Sequence, residues 1–321
     1  MRVLRTPDAR FANLPDYPFA PHYIALADGE GGMLRVHHVD EGPRRARPVL
    51  LLHGEPTWSY LYRKMIPRLV ARGHRVLAPD LVGFGRSDKP AQKADYSYAR
   101  HVAWMRAWLQ QVDLADAVFF GQDWGSLIGL ALVAQEQARF RGVVIANGAL
   151  PDPAHPERML AVRSRAADPD SFVRWQAFAA AAKKLECGAL IANGIPVLGG
   201  EMKVGLSPGE QAAYDAPFPD ASYQAGALVF PSLIDPDKLG AEGIGTLTAA
   251  WRVFERWQKP FVTAYGKADP VLGWFDVIFH EHVPGARGRG HRAFPGGKHF
   301  IQEQEPAALV EVIDEVARAT A

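Results

Sequence analysis

The segment Gly121-Gln122-Asp123-Trp124-Gly125 constrains this chain more than any other. An apolar run, Ala117–Phe120, leads into it, and a helix-like run, Ser126–Glu136, leaves it. Glycines two residues either side of a central position, between a strand and a helix, permit a turn so sharp that the central side chain stands above the sheet. Here that side chain is a carboxylate. Alone, an Asp before a helix reads as a cap; the strand and both glycines favour the raised position.

Other short apolar runs stop as abruptly, as buried strands feeding loops do. Val49–Leu52 ends in His53-Gly54-Glu55-Pro56 and Arg75–Ala78 in Pro79-Asp80. Val143–Ala146 ends in Asn147-Gly148, and Pro260–Tyr265 in Gly266-Lys267-Ala268-Asp269. Between them, Val102, Met105 and Leu109 share one helical face, and Leu309, Val312, Ile313 and Val316 another. The alternation predicts a mostly parallel sheet covered on both sides by helices. Tyr23–Leu26 and Leu34–Val39 flank Asp28-Gly29-Glu30-Gly31-Gly32 and predict an antiparallel hairpin at the sheet edge. That turn is not a phosphate loop, since no helix follows it and no Lys-Ser/Thr closes it.

From about Asp152 to Asp220 the alternation lapses into helical pieces punctuated by Pro and Gly. Asp170 or Ser171 can cap a helix carrying Phe172, Trp175 and Phe178. The expected organisation is a core of residues 1–151 and 221–321 with a helical cap, 152–220, inserted into it.

Composition narrows the partners. Lys plus Arg number 36 against 35 Asp plus Glu, so no basic field draws the chain to nucleic acid or anionic lipid. No window approaches ~18 consecutive apolar residues, the length a membrane span needs. Met1-Arg-Val-Leu-Arg-Thr-Pro-Asp lacks the apolar stretch of a signal peptide. Cys187 is the only cysteine, which rules out an internal disulfide and suits the cytoplasm. His37-His38 would face opposite sides of a strand, so no metal site is expected there.

A carboxylate that attacks carbon forms an alkyl ester, which water can hydrolyse at the enzyme's own carbonyl. The partners such chemistry needs follow in the order nucleophile, acid, histidine. Asp269 ends a strand, where side chains point into the crevice of an α/β sheet. His299 lies in Gly296-Gly297-Lys298-His299-Phe300-Ile301-Gln302-Glu303, a Gly-rich loop that can carry an imidazole over the sheet edge. Each alone is an ordinary turn residue; the three together read as a triad. The loop from His53 is placed to supply one oxyanion N–H, and Trp124, after the nucleophile, the other. His53 itself shapes that loop, because His299 occupies the position of the base.

The pieces H-G-E-P-T-W-S-Y-L-Y-R, D-L-V-G-F-G-R-S-D-K-P, Q-D-W-G, F-x-x-W, A-P-F-P-D-x-S-Y-Q-A-G and the final G-x-H-F resemble the haloalkane dehalogenases. They are most similar to the subfamily in which two tryptophans hold the departing halide. The resemblance runs from about Phe11 to the C-terminal helix and implies an α/β-hydrolase fold with a helical cap. It implies that Asp123 displaces halide, that the indoles of Trp124 and Trp175 receive it, and that His299, oriented by Asp269, activates water. It further implies that the N–H groups of Glu55 and Trp124 hold the oxyanion, that the Glu55 side chain helps place the water, and that Phe172 lines the substrate pocket. A sister subfamily has Asn after the H-G pair and an acid on the strand before the cap; here those places hold Glu55 and Asn147-Gly148. A small haloalkane would be the substrate, water the co-substrate and halide a product ligand. No cofactor would be needed, and the chain would act as a monomer or a weak homo-oligomer.

Among the rivals, a serine esterase is disfavoured because the raised residue is Asp123 and Ser126 lies inside the helix. An epoxide hydrolase shares the Asp–His–Asp set but needs acidic hydroxyls in the cap, where Tyr214 is the only tyrosine. A non-catalytic sensor on the same fold would not need the intact triad.

Overall fold

The computed structural model describes residues 1–199 and 202–320. Its strands are β1 (Val3–Leu4), β2 (His22–Ala27), β3 (Met33–Glu41), β4 (Pro48–Leu52), β5 (Arg75–Pro79), β6 (Lys89–Pro90), β7 (Ala117–Asp123), β8 (Phe140–Gly148), β9 (Phe261–Gly266) and β10 (Arg292–Phe294). Eight form one sheet in the order β10-β9-β8-β7-β4-β5-β3-β2. Pairing is parallel from β10 through β5 and antiparallel at β3–β5 and β2–β3. β1 and β6 make a separate two-stranded ladder.

The central strands are continuous apolar runs because helices cover both of their faces. Every residue of β4, β8 and β9 is buried. The helices Tyr98–Val112, Trp124–Gln135 and Pro236–Phe254 pack together, and Pro306–Ala319 lies against β7, β8 and β9. The hairpin β2–β3 sits at the sheet edge, its turn closed by Asp28 Oδ1, which accepts the N–H groups of Glu30 (2.7 Å) and Gly32 (2.9 Å). No helix among the described residues is long and apolar enough to cross a membrane.

Between β8 and β9 the described residues are helical: Pro156–Arg163, Ser171–Ala181, Cys187–Asn193, Pro208–Asp215, Ala225–Val229 and Pro236–Phe254. The helical stretch thus continues past Asp220 before the chain re-enters the sheet. One expected detail is corrected here. Neither Asp170 nor Ser171 caps Ser171–Ala181 through its side chain. Asp170 instead accepts from Arg163 (2.8 Å), and Ser171 Oγ donates to the Pro270 carbonyl (2.8 Å), fastening this helix to the loop after β9.

A buried charge cluster fastens the opposite side. Arg63, fully buried, grips Glu303 with two guanidinium nitrogens (2.5 and 3.0 Å) and also pairs with Glu210. Tyr214 donates to Glu303 at 2.5 Å, and Lys64 pairs with it at 2.8 Å. The helix Pro208–Asp215, which contributes Glu210 and Tyr214, is thereby joined to the segment just after His299. Multiple charge-assisted bonds offset the desolvation of so buried a cluster.

Candidate active site

β7 delivers Asp123 at its carboxyl end, and the turn into Trp124–Gln135 forces φ 51° and ψ −131° on that aspartate. A non-glycine residue in this region is strained and persists only where its surroundings over-determine it. Here the surroundings are tight. A Cβ at Gly125 would collide with the Leu52 carbonyl oxygen of β4, and one at Gly54 with the Asp123 carboxylate. The helix can start this close to β4, and the 54–55 backbone can reach the carboxylate, because both positions lack side chains.

The Glu55 N–H donates to Asp123 Oδ1 at 2.8 Å, and the Trp124 backbone N–H also bonds this carboxylate. Asp123 Oδ2 faces His299 Nε2 at 3.6 Å. His299 Nδ1 meets Asp269 Oδ2 at 2.8 Å. The structure therefore brings Asp123, His299, Asp269 and the two backbone donors together, as the sequence order predicts.

Two amides not singled out from sequence complete the arrangement. Asn147, at the end of β8, donates to Asp269 Oδ2 (2.8 Å) and the Gly266 carbonyl (3.0 Å) and accepts the Gly266 N–H (2.7 Å). Gln122 Nε2 reaches both His299 Nε2 (3.1 Å) and the His299 carbonyl (3.2 Å). A donor facing Nε2 leaves that nitrogen as the acceptor, so Nδ1 carries the proton given to Asp269.

The electrostatics follow from burial and pairing. Burial would raise Asp269, but the charge and hydrogen bond of His299, with the donors Asn147 and Val271 N–H, hold it below the usual carboxylate range. Burial would lower His299, yet the charges of Asp269 and Asp123 lift it above the usual imidazole value. For Asp123, burial pushes the carboxyl up, opposed in part by His299 and the two backbone donors. Burial, helped by the Asp123 charge, drives Glu55 well above the carboxylate range, and its Oε1 has no partner among the described residues. Burial and the neighbouring charge thus both favour the neutral form of Glu55.

Glu55, Asp123, Trp124, Phe172, Trp175 and His299 line one small inner cavity. It shares Asp123, Trp124, Phe172 and Val271 with a second, larger apolar cavity, which Leu127, Leu272, Trp274 and Phe275 also line. Trp274 and the 271–275 turn were not foreseen, because only the path of the chain after β9 brings them to the cavity. Trp58, Trp108 and Trp251 donate their indole N–H groups to protein acceptors. Trp124 and Trp175, like Trp104, Trp257 and Trp274, have no such acceptor among the described residues, and of these five Trp124 and Trp175 border the inner cavity. His53, the tempting alternative base, has Nδ1 at the Gly54 carbonyl (2.9 Å) and Nε2 accepting the Leu81 N–H (2.9 Å), so both ring nitrogens are engaged.

Residues 47–193 match the family model described as the alpha/beta hydrolase fold. The chain is 48% identical over 315 residues to a haloalkane dehalogenase of Mycobacterium marinum, covering 98% of this chain and 99% of that protein. It is 46% identical to a haloalkane dehalogenase of Psychrobacter cryohalolentis, with 98% and 97% covered. A solved tetrameric haloalkane dehalogenase of Paraglaciecola agarilytica superposes with a TM-score of 0.80 at 31% identity, covering 98% of this chain and 97% of that one. With relatives this similar over their whole length, the chain belongs to the haloalkane dehalogenases of the α/β-hydrolase fold.

Proposed function

We propose that Asp123 Oδ2 displaces halide from a haloalkane carbon in an SN2 step, and that the resulting ester is hydrolysed with His299 as general base. The carbon–halogen bond breaks as the carbon–oxygen bond forms, and the halide leaves with the electron pair. His299 then takes a proton from water, whose oxygen attacks the Asp123 carbonyl carbon. The charge on Oδ1 is met by the Glu55 N–H, which already donates to that oxygen, with the Trp124 N–H beside the same carboxyl. Collapse releases the alcohol, so the balance is haloalkane plus water to alcohol, halide and proton. Asp269 orients His299 and stabilises its charged form, and Asn147 steadies Asp269.

The observation that carries this reading is the division of labour between the two oxygens of Asp123, Oδ1 held by the Glu55 N–H and Oδ2 facing His299 Nε2. Trp124 and Trp175 suit a departing halide because each offers one hydrogen-bond donor on a large apolar body. Phe172 shares a helical face with Trp175 and lines both cavities, so it bounds the alkyl chain. Residues 152–220 act as the cap that closes the site over the sheet. The reaction as written uses only water beyond the substrate, and among the described residues no group of three or more His, Cys, Asp or Glu has metal-binding geometry. The buried Cys187 fits the expected cytoplasmic setting.

Against an epoxide hydrolase stands Tyr214, whose hydroxyl is engaged with Glu303 in the buried charge cluster. The test is halide release from 1-bromobutane, with Asp123→Ala as control and styrene oxide as competing substrate. Halide release that vanishes in the variant is expected; epoxide opening without halide release transfers the assignment to the rival.

A further inference from the structure

The larger cavity runs outward from Asp123 between the sheet and the helices Pro156–Arg163 and Ser171–Ala181, and its lining is apolar with two exceptions in charge. One is Asp123 at the floor; the other is Arg163, 41% exposed at the rim and the only cation in that lining. The neighbouring arginines are committed elsewhere, Arg165 to Glu281 (3.2 Å) and Arg174 to Asp168. Arg163 donates through Nε to the Pro169 carbonyl (2.7 Å) and through Nη2 to Asp170 (2.8 Å), while Nη1 has no partner among the described residues. Beside it the apolar surface continues into water, with Val173 51% and Leu160 67% exposed.

We infer that the mouth of this tunnel selects haloalkanes bearing an anionic group at the end of the chain remote from the halogen, such as ω-haloalkanoates. The inference rests on the dehalogenase reading above and names a substrate class for it. An apolar tube with a nucleophile at its floor and one guanidinium at its rim matches a molecule that is apolar in the middle and anionic at one end. Such a molecule enters halogen first, because drawing a carboxylate into an apolar tunnel is costly. Its carboxylate then stays in water at the rim, where a guanidinium offers a fork of donors. Asp170 does not forbid this: the Arg163–Asp170 pair is solvent-exposed on both sides, and such pairs are weak enough to exchange for a competing carboxylate.

The experiment measures kcat/KM for ω-bromoalkanoates of increasing chain length against their methyl esters, with 1-bromobutane as reference, in the wild type and in Arg163→Met. At the chain length that spans the tunnel, the carboxylate is expected to exceed its ester by about two- to fivefold. That ratio should shrink as salt is raised. Arg163→Met should return the ratio to one. Equal use of acid and ester at every length, a salt-independent ratio, or a preference that survives in Arg163→Met overturns the inference while turnover of 1-bromobutane leaves the dehalogenase reading intact. A wild type that releases no bromide from any of these substrates overturns both.

Discussion

At the scale of the residue, the charge of Asp123 does two things in sequence. In the resting enzyme it is one of the charges that lift His299 above the ordinary imidazole value. Once Asp123 is esterified that charge is gone, so His299 loses a proton more readily at the moment a base is needed. Asp123→Asn imitates the uncharged ester and should lower the His299 pKa, which imidazole NMR titration against the wild type measures; an unchanged value would contradict this coupling. Trp175→Phe keeps the ring and deletes the N–H, and it should reduce halide release by about 10²–10³ by analogy with lost oxyanion donors. Full activity and full halide affinity in that variant would remove Trp175 from the site. Asp123 was legible from its glycine-flanked place between a strand and a helix, and Asp269 and His299 only together with it, from their order along the chain. Asn147 and Gln122 were not, because an amide carries no such signature and acts through neighbours from other strands.

At the scale of the element, Asn147 does what the ladder between β8 and β9 cannot. The register pairs Val143–Ile145 with Phe261–Thr263, and beyond it the Asn147 amide bonds both the N–H and the carbonyl of Gly266 before reaching Asp269. Asn147→Ala leaves these buried groups unpaired, at a cost of about 2 kcal/mol in unfolding free energy. It should also raise Asp269 toward the ordinary carboxylate range; urea melts and the pH profile of turnover check the two effects. An unchanged melt would show that water replaces the amide without loss. The central strands could be read from sequence because a strand buried on both faces is an uninterrupted apolar run. β1, β6 and β10 could not, being two or three residues long and too short for any period to show. The bend at Asp123 was legible because its glycines have no room for a side chain, Gly125 against the Leu52 carbonyl of β4 and Gly121 against the Phe119 ring and the Ser126 backbone.

At the scale of the whole molecule, the helical segment over the site is fastened unequally. On the His299 side it is joined through Arg63, Glu303, Glu210 and Tyr214, with Arg63 and Glu303 almost wholly removed from water. Glu303→Gln removes one charge of a buried pair and should destabilise the fold by about 3 kcal/mol, seen as a lowered denaturation midpoint. A midpoint unchanged from the wild type would mean Arg63 is satisfied by Glu210 alone. None of these partnerships was visible in the sequence: Arg63 closes the H-G-E-P-T-W-S-Y-L-Y-R piece and Glu303 the His299 loop, but the two are 240 positions apart and neither segment names the other as its partner. On the Arg163 side the ties to the rest of the chain are single contacts nearer solvent: Ser171 Oγ to the Pro270 carbonyl (2.8 Å), Arg158 to Glu255 (2.8 Å) and Arg165 to Glu281 (3.2 Å). Salt, which screens exposed pairs more than buried ones, therefore loosens the Arg163 edge before the His299 edge. A molecule so fastened can breathe where guests come and go while its proton-handling groups stay in register.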